Sequence, residues 1–323
     1  MIRRFYIMPL RYGVDDTQVE EFRKGFDDTD RFLPGLVDSA AGLDYDSDTV
    51  IWENNFVDEA AYTGPYMLHA YHAQMLDNYL MADSPECITQ DIYATRYTFD
   101  TPATPHIEKG IRRIVLMKVA EGSDASAIAD MVAKGEGMAS SVLGEDNVGW
   151  VSFKGRPWTH IWEQTFADEE QLDAFLRSRD GIATSSSEGF ARLGLPLEKL
   201  KIFTYDFALK SDAAPRPMPE DAVPTFLTYT ARVAAKDADA FIAAMVADYD
   251  PFMAENGAPL LQRWRTVDDT GDYADILSSW SLASIAAFNP MRFATHADPR
   301  WLRFVQDAMP MVVGGTRRFY RTA

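Results

Sequence analysis

The stretch TVIWENNFVDE, residues 49–59, decides the fold of this chain. Its first part is rich in β-branched and aromatic residues, as strands are, and its acidic end is typical of a helix start. A related stretch, THIWEQTFADE, occupies residues 159–169, so that Ile51 and Ile161 lie 110 residues apart. A period of that length is too long for a solenoid unit and fits a small domain. The sequence therefore predicts a tandem repeat of domains.

The pattern around this stretch predicts the order of elements in one repeat. IRRFYIM at residues 2–8 is echoed by IRRIVLM at 111–117, and a helix with an acidic start follows from Asp15. Two strands come next, separated by a polar turn at 44–48, then a helical region to about Leu80 and a closing strand at 92–99. This β-α-β-β-α-β order is the ferredoxin-like arrangement.

Two linkers divide the chain into three such units. DTPATP at 100–105 and the proline-rich segment 210–219 have the composition of domain boundaries. We therefore predict an α+β protein of three tandem ferredoxin-like units at 1–100, 108–209 and 223–323. The third unit follows the same element order with a more diverged sequence.

One face of each predicted sheet needs a cover. Both helices of such a unit lie on one side, while the strands carry large apolar residues on both sides, as at Ile7, Ile51, Phe56, Tyr93 and Tyr97. If such a face were exposed, its apolar surface area would exceed the few hundred Å² that monomers usually expose. We expect sheets to pair face to face in a barrel. Because three is an odd number, we also expect a homodimer.

Composition excludes several classes of partner. The chain has 323 residues, a net charge of −18 and a pI of about 4.6, so nucleic acid and anionic membranes are poor partners. No stretch approaches the roughly 20 apolar residues of a membrane span. Cys87 is the single cysteine, which excludes an intrachain disulfide and fits a cytoplasmic location. We interpret Cys87 as a buried or incidental thiol.

Two motifs resemble those of the stress-responsive α/β-barrel (Dabb, or dimeric α/β-barrel) family. They are Ile51-Trp52-Glu53-x-x-Phe56 with its copy at 161–166, and Tyr66-x-x-His69-x-x-His72. The second is similar to the helix motif of plant polyketide cyclases in that family, which close aromatic rings by aldol condensation. The resemblance implies that His72 is a catalytic base and Tyr66 its hydrogen-bonding partner. The cyclases have a histidine near Phe5 and a tyrosine near Phe26, and both are absent here.

Tyr66, His69 and His72 are three residues apart and so lie on one helix face. Their functional interpretation is proton transfer by an imidazole while Tyr66 polarises a carbonyl; the alternative is that the histidines anchor the helix to the sheet. Strand alternation makes Trp52 and Glu53 face opposite ways, and which of them points inward stays open. A glutamate in the interior would have its pKa raised by burial.

Position 72 has counterparts in the other repeats. In the second repeat it is Ile182, which carries no proton, and in the third it is His296 if Phe56 is aligned with Trp280. His296 could mark a second site, although a local bond to Asp298 is the simpler interpretation. His160 lies on a strand, where histidines are more often structural.

The prediction for function is a cofactor-independent enzyme, a lyase, isomerase or cyclase, that uses this histidine on a hydrophobic small molecule. The predicted catalytic residues are His72, Tyr66 and His69. The residues expected to line the substrate pocket are Trp52, Glu53, Phe5, Phe26 and Tyr97. We expect no cofactor and no metal site, because the chain has neither a phosphate-binding loop nor a zinc-binding pair of histidines. The alternatives are haem held by a helix histidine and a non-catalytic binding protein.

Overall fold

A computed structural model describes residues 1–98, 108–123, 139–141, 158–209, 224–267, 271–295 and 297–321. In these ranges the chain forms three four-stranded antiparallel sheets with the orders β2-β3-β1-β4, β6-β7-β5-β8 and β10-β11-β9-β12. In every sheet the second strand of the repeat is at one edge, and the first and third strands are at the centre. That is the ferredoxin-like order, so the predicted α+β fold of tandem ferredoxin-like units is confirmed.

The strands are β1 Ile2–Pro9, β2 Leu36–Leu43, β3 Thr49–Phe56, β4 Tyr93–Thr98, β5 Lys109–Val119, β6 Ala139–Ser141, β7 His160–Phe166, β8 Leu197–Ala208, β9 Thr225–Ala234, β10 Leu260–Arg265, β11 Tyr273–Leu282 and β12 Val312–Arg321. The α-helices are α1 Asp16–Asp27, α2 Glu59–Ala61, α3 Asp77–Leu80, α4 Glu169–Arg177, α5 Arg179–Ala183, α6 Ser187–Arg192, α7 Ala238–Ala244, α8 Asp250–Glu255, α9 Phe288–Ala294 and α10 Pro299–Arg303. π-helical turns occur at Tyr62–Tyr66, His72–Leu76, Met245–Tyr249 and Phe304–Ala308.

The second strand of the second repeat is three residues long in the structure. This strand, Ala139–Ser141, pairs with β7, and a strand that the sequence pattern predicts near 148–153 lies outside the described residues. Residues 142–157, the helix predicted at 125–138 and both predicted linkers lie outside the described residues.

The chain divides into two compact units. The first comprises residues 1–31, 35–59 and 90–214, and the second comprises 32–34, 60–89 and 215–323. The first unit holds the sheets of the first two repeats. The second unit holds the sheet of the third repeat together with the second helical region of the first repeat. The linker-based boundaries at 1–100, 108–209 and 223–323 stay a prediction.

The core of the first unit lies between its two sheets. Phe5, Ile7 and Ile51 from the first sheet pack with Ile114 and Phe203 from the second. These positions alternate along their strands, so each sheet turns one face inward to the other. The predicted face-to-face pairing of two sheets is therefore present within one chain.

The other face of the first sheet packs against helix α1. The side chain of Asp15 caps this helix by accepting from the Gln18 backbone nitrogen, and the Gln18 side chain accepts from the Asp15 nitrogen. Phe22 and Phe26 are the buried apolar side chains of the helix. The capping box explains why the helix begins at Asp16, directly after Asp15.

The core of the second unit is aromatic. Tyr229, Tyr249 and Trp280 are fully buried beside Phe304, with Ala73 from the helical region of the first repeat in the same cluster. The Tyr249 hydroxyl donates to Asp83 Oδ2 at 2.9 Å. The helical segment 60–89 is thus bound to this unit by apolar packing and by buried polar contacts.

Cys87 is buried, as expected. Within the described ranges, no helix is long and apolar enough to cross a membrane.

Candidate functional site

The two compact units divide the predicted site residues between them. Tyr66, His69 and His72 belong to the second unit. The pocket residues expected from the sequence belong to the first unit and are Phe5, Phe26, Trp52, Glu53 and Tyr97.

His72 is the centre of a buried polar cluster in the second unit. Arg292 Nη1 lies 2.8 Å from His72 Nδ1 and donates to Asp77 Oδ2 at 2.6 Å. The distance between His72 Nδ1 and Asp77 Oδ2 is 3.4 Å. Arg292 Nη2 also donates to the Met67 sulfur at 3.6 Å. We call His72, Asp77 and Arg292 the trio; the imidazole is 4% exposed.

The Asp77 carboxylate is held in its charged form. Burial by itself would raise its pKa, but Arg292 and the neighbouring His72 outweigh that effect and lower the pKa to about 2. The trio therefore keeps an anion and a guanidinium in contact in the interior, where each would be costly without the other.

These distances bear on which ring nitrogen of His72 carries the proton. A guanidinium can only donate, so the 2.8 Å contact with Arg292 uses the lone pair of Nδ1 and leaves the proton on Nε2. In the other tautomer, Nδ1–H would donate to Asp77 and Nε2 could accept a proton, but that contact is longer at 3.4 Å. The 2.8 Å contact thus favours the tautomer with its proton on Nε2, whereas the contribution of His72 to the low pKa of Asp77 requires a proton on Nδ1.

Tyr66 packs against this imidazole. The two ring centroids lie 4.6 Å apart at an interplanar angle of 85°, an edge-to-face contact. Tyr66 ends one π-helical turn and His72 begins another. Pro65 lies in the first turn and has no N–H to donate to the helix, which helps to explain the widened turn. π-Helical turns occur frequently at functional sites.

His69 has a local structural contact. It lies between the two π-helical turns, and its Nδ1 accepts a hydrogen bond from the Tyr71 backbone nitrogen at 3.1 Å. Burial lowers its pKa, which keeps the imidazole neutral. This contact supports the alternative interpretation for His69, in which the histidine has a structural role in the helical region.

Glu53 is the centre of a second buried cluster, between the two sheets of the first unit. Its Oε2 accepts from Arg112 Nε at 3.0 Å, from Arg3 Nη2 at 3.1 Å and from the Tyr205 hydroxyl at 2.8 Å. Arg3 Nε in turn donates to both oxygens of Glu163, at 2.8 and 2.9 Å. Because Arg3 and Arg112, like Glu53 and Glu163, hold matching positions in the two repeats, this quartet joins the sheets by crossed ion pairs.

The expectation that an interior glutamate has a raised pKa is wrong for Glu53. Burial raises the pKa, but Arg112 and Arg3 together outweigh it and hold the pKa of Glu53 below its ordinary value. Burial and the adjacent Glu53 carboxylate raise the pKa of Tyr205 well above its ordinary value. Glu53 is therefore a carboxylate already paired with two arginines.

Trp52 faces the opposite side of the sheet from Glu53, which answers the question left open by alternation. Its ring meets Phe26 edge to face with centroids 4.8 Å apart, and its Nε1 donates to Ser39 Oγ at 2.7 Å. Ser39 Oγ donates on to the Phe26 carbonyl at 2.8 Å. Trp52 and Phe26 thus lie in the layer between sheet and helix, whereas Phe5 lies in the core between the sheets.

The remaining sequence candidates lie elsewhere. Tyr97 pairs with Arg3 in the strand register, and its side chain lies outside the described residues, as does His296. His160 Nδ1 is 2.9 Å from Thr159 Oγ1, and burial lowers its pKa. Ile182 is exposed. A cleft of about 300 Å³ at the start of helix α1 is lined by none of the predicted site residues.

No protein-family model and no curated protein sequence matches the chain. Among solved structures, it is similar to an anthrone oxidase-like protein at 12% identity, covering 66% of this chain and 94% of that one, with a TM-score of 0.42. A putative monooxygenase from Lactobacillus acidophilus is 10% identical over 66% of this chain and 97% of its own, with a TM-score of 0.44. A NIPSNAP family protein from Agrobacterium tumefaciens is 13% identical over 33% and 93%, with a TM-score of 0.29. At these scores the similarities carry no argument about the fold or the reaction.

The histidines do not fit haem ligation. An axial ligand needs a ring nitrogen on a face wide enough for a porphyrin. Both imidazoles are buried, and Tyr66 packs edge to face against the His72 ring. Among the described residues, no group of three metal-binding side chains is present.

Sequence reasoning missed Asp77, Arg292, Arg3, Arg112 and Tyr205. A signal for the quartet was present, because an arginine and a glutamate recur at matching positions in otherwise apolar strands of both repeats. No comparable signal exists for Arg292, which lies 220 residues after His72 along the chain.

Proposed function

We propose that the protein is a cofactor-independent enzyme of the lyase, isomerase or cyclase type, acting on a hydrophobic small molecule. His72 is the proposed proton-transfer group, oriented by Asp77 and Arg292. Tyr66 is the proposed partner that holds a substrate oxygen. A cytoplasmic location remains part of the proposal.

The observation that carries the proposal is the fixed Nδ1 of His72. Because Arg292 and Asp77 both approach this atom, the ring is held in one orientation, and we assign proton exchange to Nε2. In the tautomer that accepts from Arg292, Nε2–H would donate a hydrogen bond to a carbonyl oxygen. When the Nδ1 proton faces Asp77, Nε2 is a base that removes a proton beside that carbonyl. Both roles belong to enolisation, the first step that such reactions share.

A second candidate is a non-catalytic protein in which the trio only stabilises the fold. It is favoured by the 4% exposure of the imidazole and by the ion pair that Asp77 already makes. The two candidates differ in whether His72 exchanges protons with a bound molecule.

Deuterium exchange separates them. The probe is 2-tetralone in D2O, and proton NMR follows the loss of the protons beside its carbonyl. We expect the wild-type protein to accelerate exchange and H72Q to lower the accelerated rate by roughly 100-fold, the usual contribution of one acid–base group. Asp77→Asn should move the pH–rate profile, because it alters the partner of Nδ1.

The matched control is His160→Gln, which changes a half-buried histidine of the first unit and should leave the rate unaltered. Equal rates for H72Q and wild type would remove His72 from the chemistry. A wild-type rate no faster than buffer, together with a lower melting temperature for H72Q, would favour the non-catalytic candidate.

A further inference from the structure

One polar position on the helix-facing side of the sheet recurs in all three repeats. In the first repeat it is Asn54 on β3, two residues after Trp52 and therefore on the same face of the sheet. The 110-residue period places Gln164 of β7 at this position, and the alignment of the third repeat used above places Ser278 of β11 there. All three polar side chains are buried. Because buried polar groups need partners, each of them should be hydrogen-bonded.

The second and third repeats provide these partners. Gln164 Oε1 accepts a hydrogen bond from Nη1 of Arg113, its cross-strand neighbour on β5. The same guanidinium donates through Nη2 to the Thr184 carbonyl at 2.8 Å, which ties the pair to the helical layer of its own repeat. In the third repeat, Ser278 Oγ accepts from Arg263 Nε at 2.8 Å. In both repeats the buried polar side chain is therefore part of the protein's own hydrogen-bond network.

The matching side chain of the first repeat has no such partner. Asn54 is 0% exposed, yet neither Oδ1 nor Nδ2 of its amide has a hydrogen-bond partner among the residues that the structure describes. Its cross-strand neighbour is Arg4, the counterpart of Arg113, but no hydrogen bond joins this guanidinium to the amide. An amide that loses its water on folding and gains no partner destabilises the fold. A role in stability therefore does not explain an asparagine at this position.

Planar side chains flank the Asn54 amide on the same face of the sheet. The Arg4 guanidinium carbon lies 3.7 Å from the centre of the Tyr6 ring, and the Tyr6 ring stacks on Trp52 with centroids 5.1 Å apart at an interplanar angle of 22°. Trp52 is in turn held by its contact with Phe26 of helix α1. The amide thus lies beside a ladder of three planar groups, one of which is a cation. These surroundings suit a flat, largely apolar molecule whose oxygen carries partial negative charge.

The amide itself specifies the polar groups that a ligand must offer. A carboxamide presents an acceptor oxygen and an N–H donor side by side in one plane, so its complement is a donor next to an acceptor. A lactam, or cyclic amide, has this arrangement in its N–H and C=O groups. An ionised carboxylate and a ketone have no donor, so each would leave the Asn54 oxygen unsatisfied. Asparagine recognises adenine in the same bidentate way in DNA complexes.

We infer that Asn54 is the recognition residue of a ligand site in the first unit, on the helix-facing side of its first sheet, and that the ligand is a flat cyclic amide. Nδ2 donates to the lactam oxygen, the lactam N–H donates to Oδ1, and the Arg4 guanidinium contributes positive charge next to the site. The site uses residues of the first unit alone and is independent of the chemistry proposed for His72. Because Gln164 and Ser278 are hydrogen-bonded to protein groups, we expect no equivalent site in the other two repeats.

Isothermal titration calorimetry with 2-quinolinone, a flat lactam, tests this inference on the full chain. The matched probe is coumarin, which has the same shape and the same carbonyl but an ester oxygen in place of the N–H. We expect the wild-type protein to bind 2-quinolinone at least about 10-fold more tightly than coumarin, because coumarin leaves the buried Asn54 oxygen unpaired. Asn54→Leu should abolish this preference. Its melting temperature should stay the same or rise, since an apolar side chain of similar size replaces an unpaired amide.

Gln164→Leu is the matched control variant. It removes the acceptor of Arg113 at the corresponding position of the second repeat, so it should lower the melting temperature and leave the preference for 2-quinolinone unchanged. Asn54→Asp keeps the shape of the side chain and removes its N–H donor. This second variant should bind 2-quinolinone about 10-fold more weakly than wild type, and it provides the measurement if the leucine variant does not fold.

Three results would overturn the inference. The first is equal affinity of the wild-type protein for 2-quinolinone and coumarin, or no measurable binding of either. The second is an unchanged preference for 2-quinolinone in the Asn54 variants. The third is a melting temperature that falls as far in Asn54→Leu as in Gln164→Leu, because the Asn54 amide would then have partners within the folded chain.

Discussion

The two buried clusters of this protein have opposite designs. In the quartet of the first unit, each of the two repeats contributes one arginine and one glutamate. Every charged group there is paired with one of opposite charge. The trio of the second unit joins segments that are not copies of each other. It contains an imidazole beside a carboxylate and a guanidinium. Both clusters contain a carboxylate whose pKa is lowered. Perturbed pKa values therefore do not by themselves separate an ion-pair network from a site; a group that can gain and lose a proton does.

The largest expected effect tests the quartet. Glu53→Gln leaves Arg112 without its buried carboxylate, and breaking such a pair should lower the free energy of unfolding by about 3–5 kcal/mol. Urea denaturation measures this loss. Glu20→Gln, which breaks an exposed pair with Arg23, should cost less than about 1 kcal/mol. Similar losses for the two variants would show that the quartet contributes no more than a surface pair.

The next effect tests the trio through pH. The folded pKa of Asp77 is about 2, below its ordinary value near 4 in an unfolded chain. A lowered pKa adds stability above the unfolded value, and this share is lost as pH falls from about 4 to 2. We expect it to be about 2 kcal/mol.

Denaturation curves from pH 6 to pH 2 measure that share. Asp77→Asn should be less stable at neutral pH, with a smaller decline in acid than wild type. An equal acid decline in the two proteins would contradict the assignment to Asp77.

Substitution of Trp52 should have a smaller effect on the free energy of unfolding. It tests whether this side chain only packs in the core or also contacts the substrate. Trp52→Phe removes the hydrogen bond to Ser39 and part of the contact with Phe26, and should cost about 1–3 kcal/mol. Because the ring lies in the layer between sheet and helix, we expect 2-tetralone exchange to stay unchanged. A lower exchange rate in a folded variant would return Trp52 to the pocket residues.

The smallest effect separates the two histidines of the helical region. His69→Ala removes one hydrogen bond from the Tyr71 backbone nitrogen and should cost about 1 kcal/mol, with exchange unchanged. Thermal melts and the exchange assay are the two measurements. A loss of exchange comparable with that of H72Q would make His69 part of the reaction as well.

The sequence by itself determined the repeat and the fold of each unit. The 110-residue period, the strand and helix patterns and the polar turns are local signals, and they suffice for β-α-β-β-α-β because hydrophobic periodicity reports each element separately. The pairing of the helix-free faces of the first two sheets also followed from composition. The motif of Tyr66, His69 and His72 singled out the histidine that lies in the trio.

Only the tertiary structure decided what surrounds those residues. Trp52 and Glu53 alternate on one strand, so either could have faced inward, and the Arg112 and Arg3 partners of Glu53 fixed the choice. Arg292 meets His72 from 220 residues away, a distance along the chain over which no periodicity carries information. The helical segment 60–89 packs in the unit of the third repeat and not in that of its own strands, because long-range burial outweighs order along the chain.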